Sequence, residues 1–186
     1  MGECRDDSDV RVDDRRPKIG ILVVAYNAES TLRATLDRIP DDFHDRIDEI
    51  LICDDASDDG TFDVGIAWRA ANPGITTTVI RHKTNLGYGG NQKVGFRLAI
   101  DHGLDIIVLL HGDGQYAPEC LPQIVQPLVE GDADAVLGSR MLVRGSARGG
   151  GMPLYKYVGN RVLTTMQNAL LRTHLSELTS LPGRRR

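Results

Sequence analysis

The sequence predicts an α/β domain built on a mainly parallel β-sheet with helices on both faces. From residue 18 onward, short apolar runs rich in β-branched residues alternate with longer segments of helical periodicity. This is the pattern of strands joined by helical crossovers. Polar clusters follow several of the apolar runs, as expected where the carboxyl ends of parallel strands meet. The chain has no evident internal repeat, so the alternation is the main observation that predicts the architecture.

Five strands and four helices can be placed in order along the chain. Each predicted strand is a short apolar run followed by turn-forming residues, and each predicted helix has its apolar residues at helical spacing. The predicted strands cover 18–25, 47–53, 76–81, 105–110 and 133–138. The predicted helices cover 30–38, 60–71, 89–102 and 118–130. Trp68 falls on the helical spacing of its segment and is predicted to lie in the core.

Length and composition limit the classes of protein that the chain can belong to. A chain of 186 residues is long enough for one domain that buries roughly 70% of the surface of its unfolded form. The net charge of -4 gives no whole-chain basic field, so nucleic acid is not expected as a partner. Cys4, Cys53 and Cys120 lie far apart, which indicates neither a disulfide framework nor a cysteine zinc site and favours a reducing compartment.

The first 16 residues are charged throughout and contain no apolar stretch that could serve as a signal peptide. We expect residues 1–16 to form a disordered charged tail. The apolar runs elsewhere are far shorter than a membrane span. A cytoplasmic location follows as the expectation.

Polar side chains follow four of the predicted strands. They are the stretches Ala25-Tyr26-Asn27, Asp54-Asp55, His111 to Gln115, and Gly138-Ser139-Arg140. One such cluster could be ordinary capping chemistry. Because the carboxyl ends of parallel strands share one edge of the sheet, four clusters predict a binding site at that edge.

The stretch DDASDDGT, which begins at Asp54, has two interpretations. A turn and helix cap explains Ser57 to Asp59, because Asp and Ser accept hydrogen bonds from free backbone N–H groups. It explains less well the two carboxylates directly at the strand end. There Asp54 or Asp55 could accept a hydrogen bond from a ribose hydroxyl or a nucleobase N–H.

The stretch HGDGQ, residues 111–115, predicts either a metal site or a polar turn whose Asp caps the next helix. If the segment is extended, His111, Asp113 and Gln115 point to one face, and Gly112 and Gly114 leave the other face open to a ligand or another backbone. The carboxylate of Asp113 and the amide oxygen of Gln115 suit Mg²⁺ or Mn²⁺ better than zinc.

The stretch NLGYGGN, which begins at Asn85, follows the third predicted strand and opens a helix. It lacks the third glycine of the dinucleotide-binding fingerprint and follows the wrong strand for it, which argues against a nicotinamide dehydrogenase. Its glycines are expected to permit a tight turn and close helix packing, with backbone N–H groups available to a phosphate.

The segment 151–186 is predicted to be an amphipathic helical segment. Apolar residues recur at every fourth position from Leu154 to Leu170, and Lys156, Arg161 and Arg172 add basic charge beside this stripe. The stripe could pack on its own domain. Alternatively, residues 153–172 could lie on a partner or on an anionic membrane surface.

In this order, the motifs VVAYNAE, DDASDDGT, NLGYGGN, HGDGQYAPE and GSR resemble the family 2 glycosyltransferases of the GT-A fold. The resemblance is strongest to the polyprenyl-phosphate branch and runs from about residue 18 to 177. It implies a nucleotide-sugar-binding GT-A domain over 17–150. The activity it implies is transfer of a sugar from a UDP- or GDP-sugar to a polyprenyl phosphate, with inversion, at the cytoplasmic face of a membrane.

The resemblance also implies roles for individual residues. Asp113 and Gln115 would hold Mg²⁺ or Mn²⁺ on the donor diphosphate, and Asp113 and Arg140 would be catalytic. Arg140 and Lys156 would contact the lipid-phosphate acceptor. The implied donor-binding residues are Ala25, Tyr26, Glu29, Asp54, Asp55, Gly112 and Asp113.

The sequence departs from the family pattern at several positions. Val24 stands where relatives have proline, Ala28 where they have the first glutamate, and His111 where many have an aspartate. The chain ends in SELTSLPGRRR, where relatives continue, which suggests a truncated acceptor side. The alternative functions are transfer to a sugar hydroxyl in polysaccharide or glycolipid synthesis and non-catalytic binding of a nucleotide sugar.

Overall fold

The computed structural model describes residues 15–138, Thr165 and the backbone of 181–185. The strands are β1 (Ile19–Ala25), β2 (Glu49–Asp54), β3 (Thr77–Arg81), β4 (Ile106–His111), β5 (Ala135–Gly138) and β6 (Leu181–Arg185). The helices are α1 (Leu32–Leu36), α2 (Asp41–His44), α3 (Thr61–Ala71), α4 (Gly87–Asp101) and α5 (Leu121–Glu130), with a 3₁₀ turn at Pro118–Cys120 before α5.

The strands form one sheet in the order β3-β2-β1-β4-β6-β5. The strands β3, β2, β1 and β4 are parallel, and β6 runs antiparallel to both β4 and β5. In this register Val24 of β1 lies between Cys53 of β2 and His111 of β4. The carboxyl ends of the three central strands are therefore level with one another.

The central strand β1 is buried along its whole length, as is typical of a parallel strand covered on both faces. Its side chains alternate between two cores. Ile21 and Val23 belong to the core on one face, whereas Leu22 and Val24 belong to the core on the other. Because alternate side chains enter two different apolar cores, every position of the strand is apolar and the sequence shows a continuous apolar run.

Helices cover both faces of the sheet, which confirms the predicted fold class. Leu32, Phe43, Trp68 and Val125, from α1, α2, α3 and α5, belong to one core. On the other face, α4 packs through Ala99. Trp68 is 2% exposed, in agreement with its predicted place in the core.

Gly95 allows α4 to approach the sheet closely. A Cβ added at this position would lie 2.4 Å from Cδ1 of Leu22, which is fully buried in β1. The close packing that the NLGYGGN stretch was expected to permit therefore depends on a glycine one turn beyond it.

The structure differs from the sequence prediction at α1 and α2. Helix α1 is shorter than the predicted 30–38, and α2 was not predicted. Pro40 stands at the N-cap of α2, and Asp41 and Asp42 lie in its first turn. Proline followed by acidic residues is a recognised helix-start signal, so the sequence contained the information that was missed.

Strand β6 corrects the prediction for the end of the chain, where a helical segment was expected over 151–186. Residues 181–185 pair with both β4 and β5. Pro182 and Gly183 both have low strand propensity, so this strand could not be predicted from local residue patterns. The pairing satisfies backbone groups along an edge of β4 that would otherwise lack a strand partner. Apart from Thr165, the predicted stripe at 153–172 lies outside the described residues.

The domain begins slightly earlier than residue 17. Arg16 donates two hydrogen bonds to Asp48, at 2.9 and 3.0 Å, and Arg15 donates to Asp105 at 3.3 Å. These pairs tie Arg15 and Arg16, which were predicted to belong to the tail, to the sheet. Residues 1–14 lie outside the described part of the chain. Within that part, none of the helices has the length and apolar character needed to cross a bilayer.

Candidate functional site

A cleft of about 340 Å³ lies at the carboxyl ends of β1, β2 and β4. Its volume falls within the range of small-molecule sites. The residues that line it are Val24, Ala25, Tyr26, Ala28, Asp55, Asn85, Gly87, Tyr88, Asn91, His111, Gly112 and Asp113. The predicted donor-binding residues Ala25, Tyr26, Asp55, Gly112 and Asp113 therefore line one cleft.

The strand order explains why the cleft forms at this point. From β1 the chain proceeds outward to β2 and β3, and it then returns to place β4 on the other side of β1. The helix of that return crossover, α4, packs on the face of the sheet opposite to α1 and α3. Open α/β sheets form their ligand crevice at such a switch in strand order.

Asp55 is held firmly at the rim of β2. It is 2% exposed, its backbone N–H donates to the carbonyl of Ala25 at 2.9 Å, and its Oδ1 accepts the backbone N–H of Leu86 at 2.7 Å. Its other carboxylate oxygen, Oδ2, accepts no hydrogen bond from the described residues, and the residue lines the cleft. Asp55 can therefore present one fixed acceptor to a ligand.

Asp54, predicted as a donor-binding residue, serves the local structure instead. Its side chain is fully buried and accepts hydrogen bonds from the backbone N–H and the hydroxyl of Ser57, and Nε of Arg81 lies 3.4 Å from Oδ2. It does not line the cleft. The turn interpretation of the stretch therefore fits Asp54, and the ligand-binding interpretation fits Asp55.

Glu29, also predicted to bind the donor, lies outside the cleft. Its Oε2 accepts the backbone N–H of Gly60 at 3.1 Å, and its own N–H donates to Asp59 at 3.1 Å. Nearby, the N–H of Ala28 donates to the hydroxyl of Thr61 at 2.8 Å. These bonds lock the loop after β1 to the loop after β2, which fixes the floor of the cleft.

The segment 111–115 is a turn, which corrects the expectation of an extended segment with three side chains on one face. Strand β4 ends at His111, and Gly114 has a φ of 72°. The N–H of Gln115 donates to Oδ1 of Asp113 at 3.0 Å. Asp113 thus caps its own turn and not the following helix, whose N-cap carries no side-chain hydrogen bond.

The turn places Asp113 and Gln115 differently. Asp113 is exposed and lines the cleft, whereas Gln115 does not line it. Gly112 is buried, and a Cβ there would lie 3.1 Å from Cβ of Ala25 and 3.3 Å from Cδ1 of Leu32. A side chain at this position would crowd Ala25 and Leu32, so packing within the chain favours glycine here.

His111 lies between two aromatic rings at the mouth of the turn. Its Nε2 is 2.9 Å from the hydroxyl of Tyr88, and its ring centroid is 4.7 Å from that of Tyr116. The hydroxyl of Tyr88 also accepts a hydrogen bond from Gln92 at 2.7 Å. Burial raises the pKa of Tyr88 above its usual range, and nearby Tyr116 and Asp113 raise it further.

Sequence reasoning expected only backbone N–H groups of the stretch NLGYGGN to face a ligand, and it missed the side chains that line the cleft. Asn85, Gly87, Tyr88 and Asn91 all line it, and the N-terminus of α4 lies there. Asn91 is buried, donates to the carbonyl of Cys53 at 2.9 Å, and pairs with His82 at 3.0 Å. The stretch was interpreted through its glycines, although the two asparagines and the tyrosine between them were the available signal.

The donor groups of the cleft fit a hard divalent cation that is held mainly by its substrate. Among the residues that the structure describes, no three His, Cys, Asp or Glu side chains are close enough to hold a metal ion. Mg²⁺ commonly uses one or two carboxylates and completes its shell with waters and substrate phosphates. The exposed carboxylate of Asp113 fits that arrangement. Arg140 and Lys156, predicted to contact the acceptor, lie outside the described residues.

Comparisons with known proteins show the family to which the chain is related. Residues 20–178 match the family described as "Glycosyl transferase family 2". A UDP-N-acetylglucosamine–dolichyl-phosphate N-acetylglucosaminyltransferase of Methanococcus voltae is 29% identical over 76% of this chain and 59% of its own. An undecaprenyl-phosphate mannosyltransferase of Micrococcus luteus is 34% identical over 67% of this chain and 49% of its own. The chain therefore spans about half the length of these relatives.

Solved structures show the same fold. A mannosyltransferase of Pyrobaculum calidifontis, in complex with GDP-Man and Mn²⁺, superimposes with a TM-score of 0.56 at 25% identity, covering 68% of this chain and 36% of its own. A glucosyl-3-phosphoglycerate synthase of Mycobacterium tuberculosis superimposes with a TM-score of 0.62 at 21% identity, covering 91% of this chain and 57% of its own. The family match over most of the chain and these superpositions confirm the resemblance seen in the motifs: this chain belongs to the family 2 glycosyltransferases and has the GT-A fold.

Proposed function

We propose that the chain binds a UDP- or GDP-sugar in the cleft and transfers the sugar to a polyprenyl phosphate at the cytoplasmic face of a membrane. The observation that carries the proposal is the cleft itself, where Asp55 from β2, the N-terminus of α4 and Asp113 from the turn after β4 all meet. The relatives named for dolichyl and undecaprenyl phosphates support the lipid-phosphate acceptor.

The fixed groups of the cleft suit the parts of a nucleotide sugar. The free oxygen of Asp55 can accept a hydrogen bond from a base N–H or a ribose hydroxyl. The N-terminus of α4, where Gly87 and Tyr88 line the cleft, favours a negatively charged group such as the diphosphate. Both features act on the donor, so donor binding is the first property to measure.

Asp113 is the residue that would hold a divalent cation on the diphosphate. Such an ion would stabilise the negative charge that develops on the departing nucleoside diphosphate. In this arrangement Gln115 supports Asp113 through its backbone N–H and not through its side chain. A single protein carboxylate suffices because the diphosphate supplies further oxygen ligands.

The proposed reaction forms one bond and breaks one. An oxygen of the acceptor phosphate attacks the anomeric carbon of the sugar, and the bond from that carbon to the diphosphate oxygen breaks with the electron pair leaving on the nucleoside diphosphate. Attack opposite to the leaving group inverts the anomeric configuration. A phosphate monoester has a second pKa of about 6 and is already anionic at neutral pH. The acceptor therefore needs no strong general base.

Calorimetry and turnover assays test the proposal on the whole chain. UDP- and GDP-sugars are titrated with and without Mn²⁺, and we expect binding that Mn²⁺ strengthens. Turnover is then measured with a polyprenyl phosphate, with Asp113→Ala as the inactive comparison. Transfer to sugar hydroxyls but not to the lipid phosphate would favour the polysaccharide or glycolipid alternative. Metal-dependent donor binding without transfer to either acceptor would instead indicate a non-catalytic binding module.

A further inference from the structure

We propose that Thr31 and Arg38, which flank helix α1 on the side of the sheet remote from α4, are positioning residues for Asp113. The inference rests on the proposed function, because it concerns how the chain holds the residue assigned to the metal. Neither side chain lines the cleft. Each donates a hydrogen bond to a backbone carbonyl of the turn that carries Asp113.

The two carbonyl groups on either side of Asp113 are both held by side chains of this segment. The hydroxyl of Thr31 donates to the carbonyl of Gly112 at 2.8 Å. Nη1 of Arg38 donates to the carbonyl of Gly114 at 3.3 Å. The backbone before and after Asp113 is thereby anchored to two residues on either side of α1, which lie 81 and 76 residues earlier in the chain than the carbonyls they hold.

Arg38 is itself held in place by Glu119. Its Nε and Nη2 donate to the two carboxylate oxygens of Glu119 at 2.7 and 3.0 Å, which is the bidentate geometry that a planar guanidinium favours. Glu119 lies in the 3₁₀ turn Pro118–Cys120 that precedes α5. The guanidinium of Arg38 thus connects the segment that follows α1, the turn that carries Asp113 and the residues that lead into α5.

Because the pair of Arg38 and Glu119 is exposed, its effect on the position of the turn can be measured apart from any effect on the stability of the fold. The side chains of Arg38 and Glu119 are 40% and 52% exposed, and exposed ion pairs contribute little to the free energy of unfolding. Their effect is therefore local and falls on the turn. Thr31 acts in the same way through a neutral hydroxyl, so the two contacts test the inference independently.

Fixing the turn matters because Asp113 has few other constraints. Its side chain is exposed, and its one hydrogen bond within the turn comes from Gln115, two residues away. A carboxylate on a mobile turn would have to be ordered each time a cation binds, at a cost in conformational entropy. Groups that orient a metal ligand in this way typically alter metal affinity about 10–100-fold when they are removed.

Matched variants separate the two hydrogen bonds from general damage. Thr31→Val removes the hydroxyl at nearly constant volume, and Thr31→Ser retains it. Arg38→Met removes the guanidinium. Arg97→Met is its control, because Arg97 forms an exposed ion pair with Asp101 on α4 and does not contact the turn.

Two quantities are measured. The first is the affinity for Mn²⁺ in the presence of UDP or GDP, detected through the electron paramagnetic resonance of the ion. The second is the rate of backbone hydrogen exchange over 111–116. We expect Thr31→Val and Arg38→Met each to weaken Mn²⁺ binding by about tenfold and to speed exchange in the turn. We also expect metal-free nucleotide affinity to stay within about twofold of the parent, as it should for changes that spare the cleft. Thr31→Ser and Arg97→Met should match the parent chain.

Unchanged Mn²⁺ affinity and exchange in both Thr31→Val and Arg38→Met would overturn the inference. An equal loss of metal-free and metal-dependent nucleotide binding would also overturn it, because that pattern indicates general structural damage. If the parent chain binds nucleotide with no effect of Mn²⁺, the role of Asp113 in the proposed function fails first. That result is seen in the parent alone, so the two failures are distinguishable.

Discussion

Oδ1 of Asp55 accepts the backbone N–H of Leu86 at 2.7 Å, and this bond joins the end of β2 to the first turn of α4 across one side of the cleft. The two residues are 31 positions apart in the chain, and Asp55 and the first turn of α4 both contribute to the cleft lining. One carboxylate oxygen of Asp55 thus holds the backbone of Leu86, and the other can accept a hydrogen bond from a ligand.

Substitutions at Asp55 should separate these two uses. Asp55→Asn can keep an oxygen on Leu86 and loses the negative charge, so we expect nucleotide affinity to fall with little change in stability. Asp55→Ala removes both oxygens and should also destabilise the fold by about 1–3 kcal/mol, since it leaves a backbone donor unpaired. Calorimetry and urea unfolding measure the two effects. Asp58→Asn is the control, because Asp58 is exposed and lies outside the cleft. If both Asp55 variants bound nucleotide as tightly as the parent, Asp55 would have no role in ligand binding.

Asp113 and Gln115 should respond differently, although the sequence assigned both to the metal. Asp113→Asn is expected to weaken Mn²⁺-dependent donor binding roughly 10–100-fold, which corresponds to the loss of about 1.5–3 kcal/mol from an interaction with a charged group. Gln115→Ala keeps its N–H on Oδ1 of Asp113 and should have little effect. Titration of the donor in the presence of Mn²⁺ measures both. If Gln115→Ala lost as much Mn²⁺-dependent donor affinity as Asp113→Asn, the side-chain amide of Gln115 would have to be a metal ligand.

The difference between these two residues illustrates what the sequence could predict. Period-two reasoning located the strand ends correctly, because burial on both faces dictates the run of apolar residues in β1, β2 and β4. It failed after His111, where β4 ends and a turn with a left-handed Gly114 follows, so that Asp113 lines the cleft and Gln115 does not. Asp54 and Asp55 are adjacent at the same strand end, and their hydrogen bonds separate them. Asp54 accepts from Ser57 within its own turn, whereas Asp55 accepts from Leu86, 31 residues away.

Stability should depend on where a glycine of α4 is replaced. Gly89→Ala introduces a Cβ with no atom within 4 Å, so the higher helix propensity of alanine should stabilise the fold by up to about 1 kcal/mol. Gly95→Ala should destabilise it, since overpacking against the buried Leu22 typically costs about 1–3 kcal/mol and outweighs that gain. The midpoints of urea unfolding give both values. Equal midpoints for the two variants would contradict the close approach of α4 to β1.

The ion pair between Arg38 and Glu119 should give a small, pH-dependent stability. The hydrogen bonds from Arg38 lower the pKa of Glu119, so its contribution is fully present above the ordinary pKa of a glutamate, about 4.3, and is lost as the pH falls through the lower pKa of the folded state. Because both side chains are well exposed, we expect Glu119→Gln to cost less than about 1 kcal/mol at pH 7. Urea unfolding from pH 7 to pH 3 should show the difference from the parent shrinking, and a difference that grows toward low pH would have the wrong sign.

The raised pKa of Tyr88 provides a probe of Asp113 that does not depend on activity. Burial contributes most to the rise, and the negative charges of Tyr116 and Asp113 add to it, because each disfavours a phenolate nearby. We therefore expect Asp113→Asn to lower the pKa of Tyr88, and Asp58→Asn to leave it unchanged. Ultraviolet titration of tyrosine ionisation measures the shift, Tyr88→Phe identifies the step that belongs to this residue, and circular dichroism checks that the fold persists. If the pKa of Tyr88 were the same in Asp113→Asn as in the parent, the carboxylate of Asp113 would be too far from the ring to affect its ionisation. The turn that carries Asp113 would then have to face away from α4.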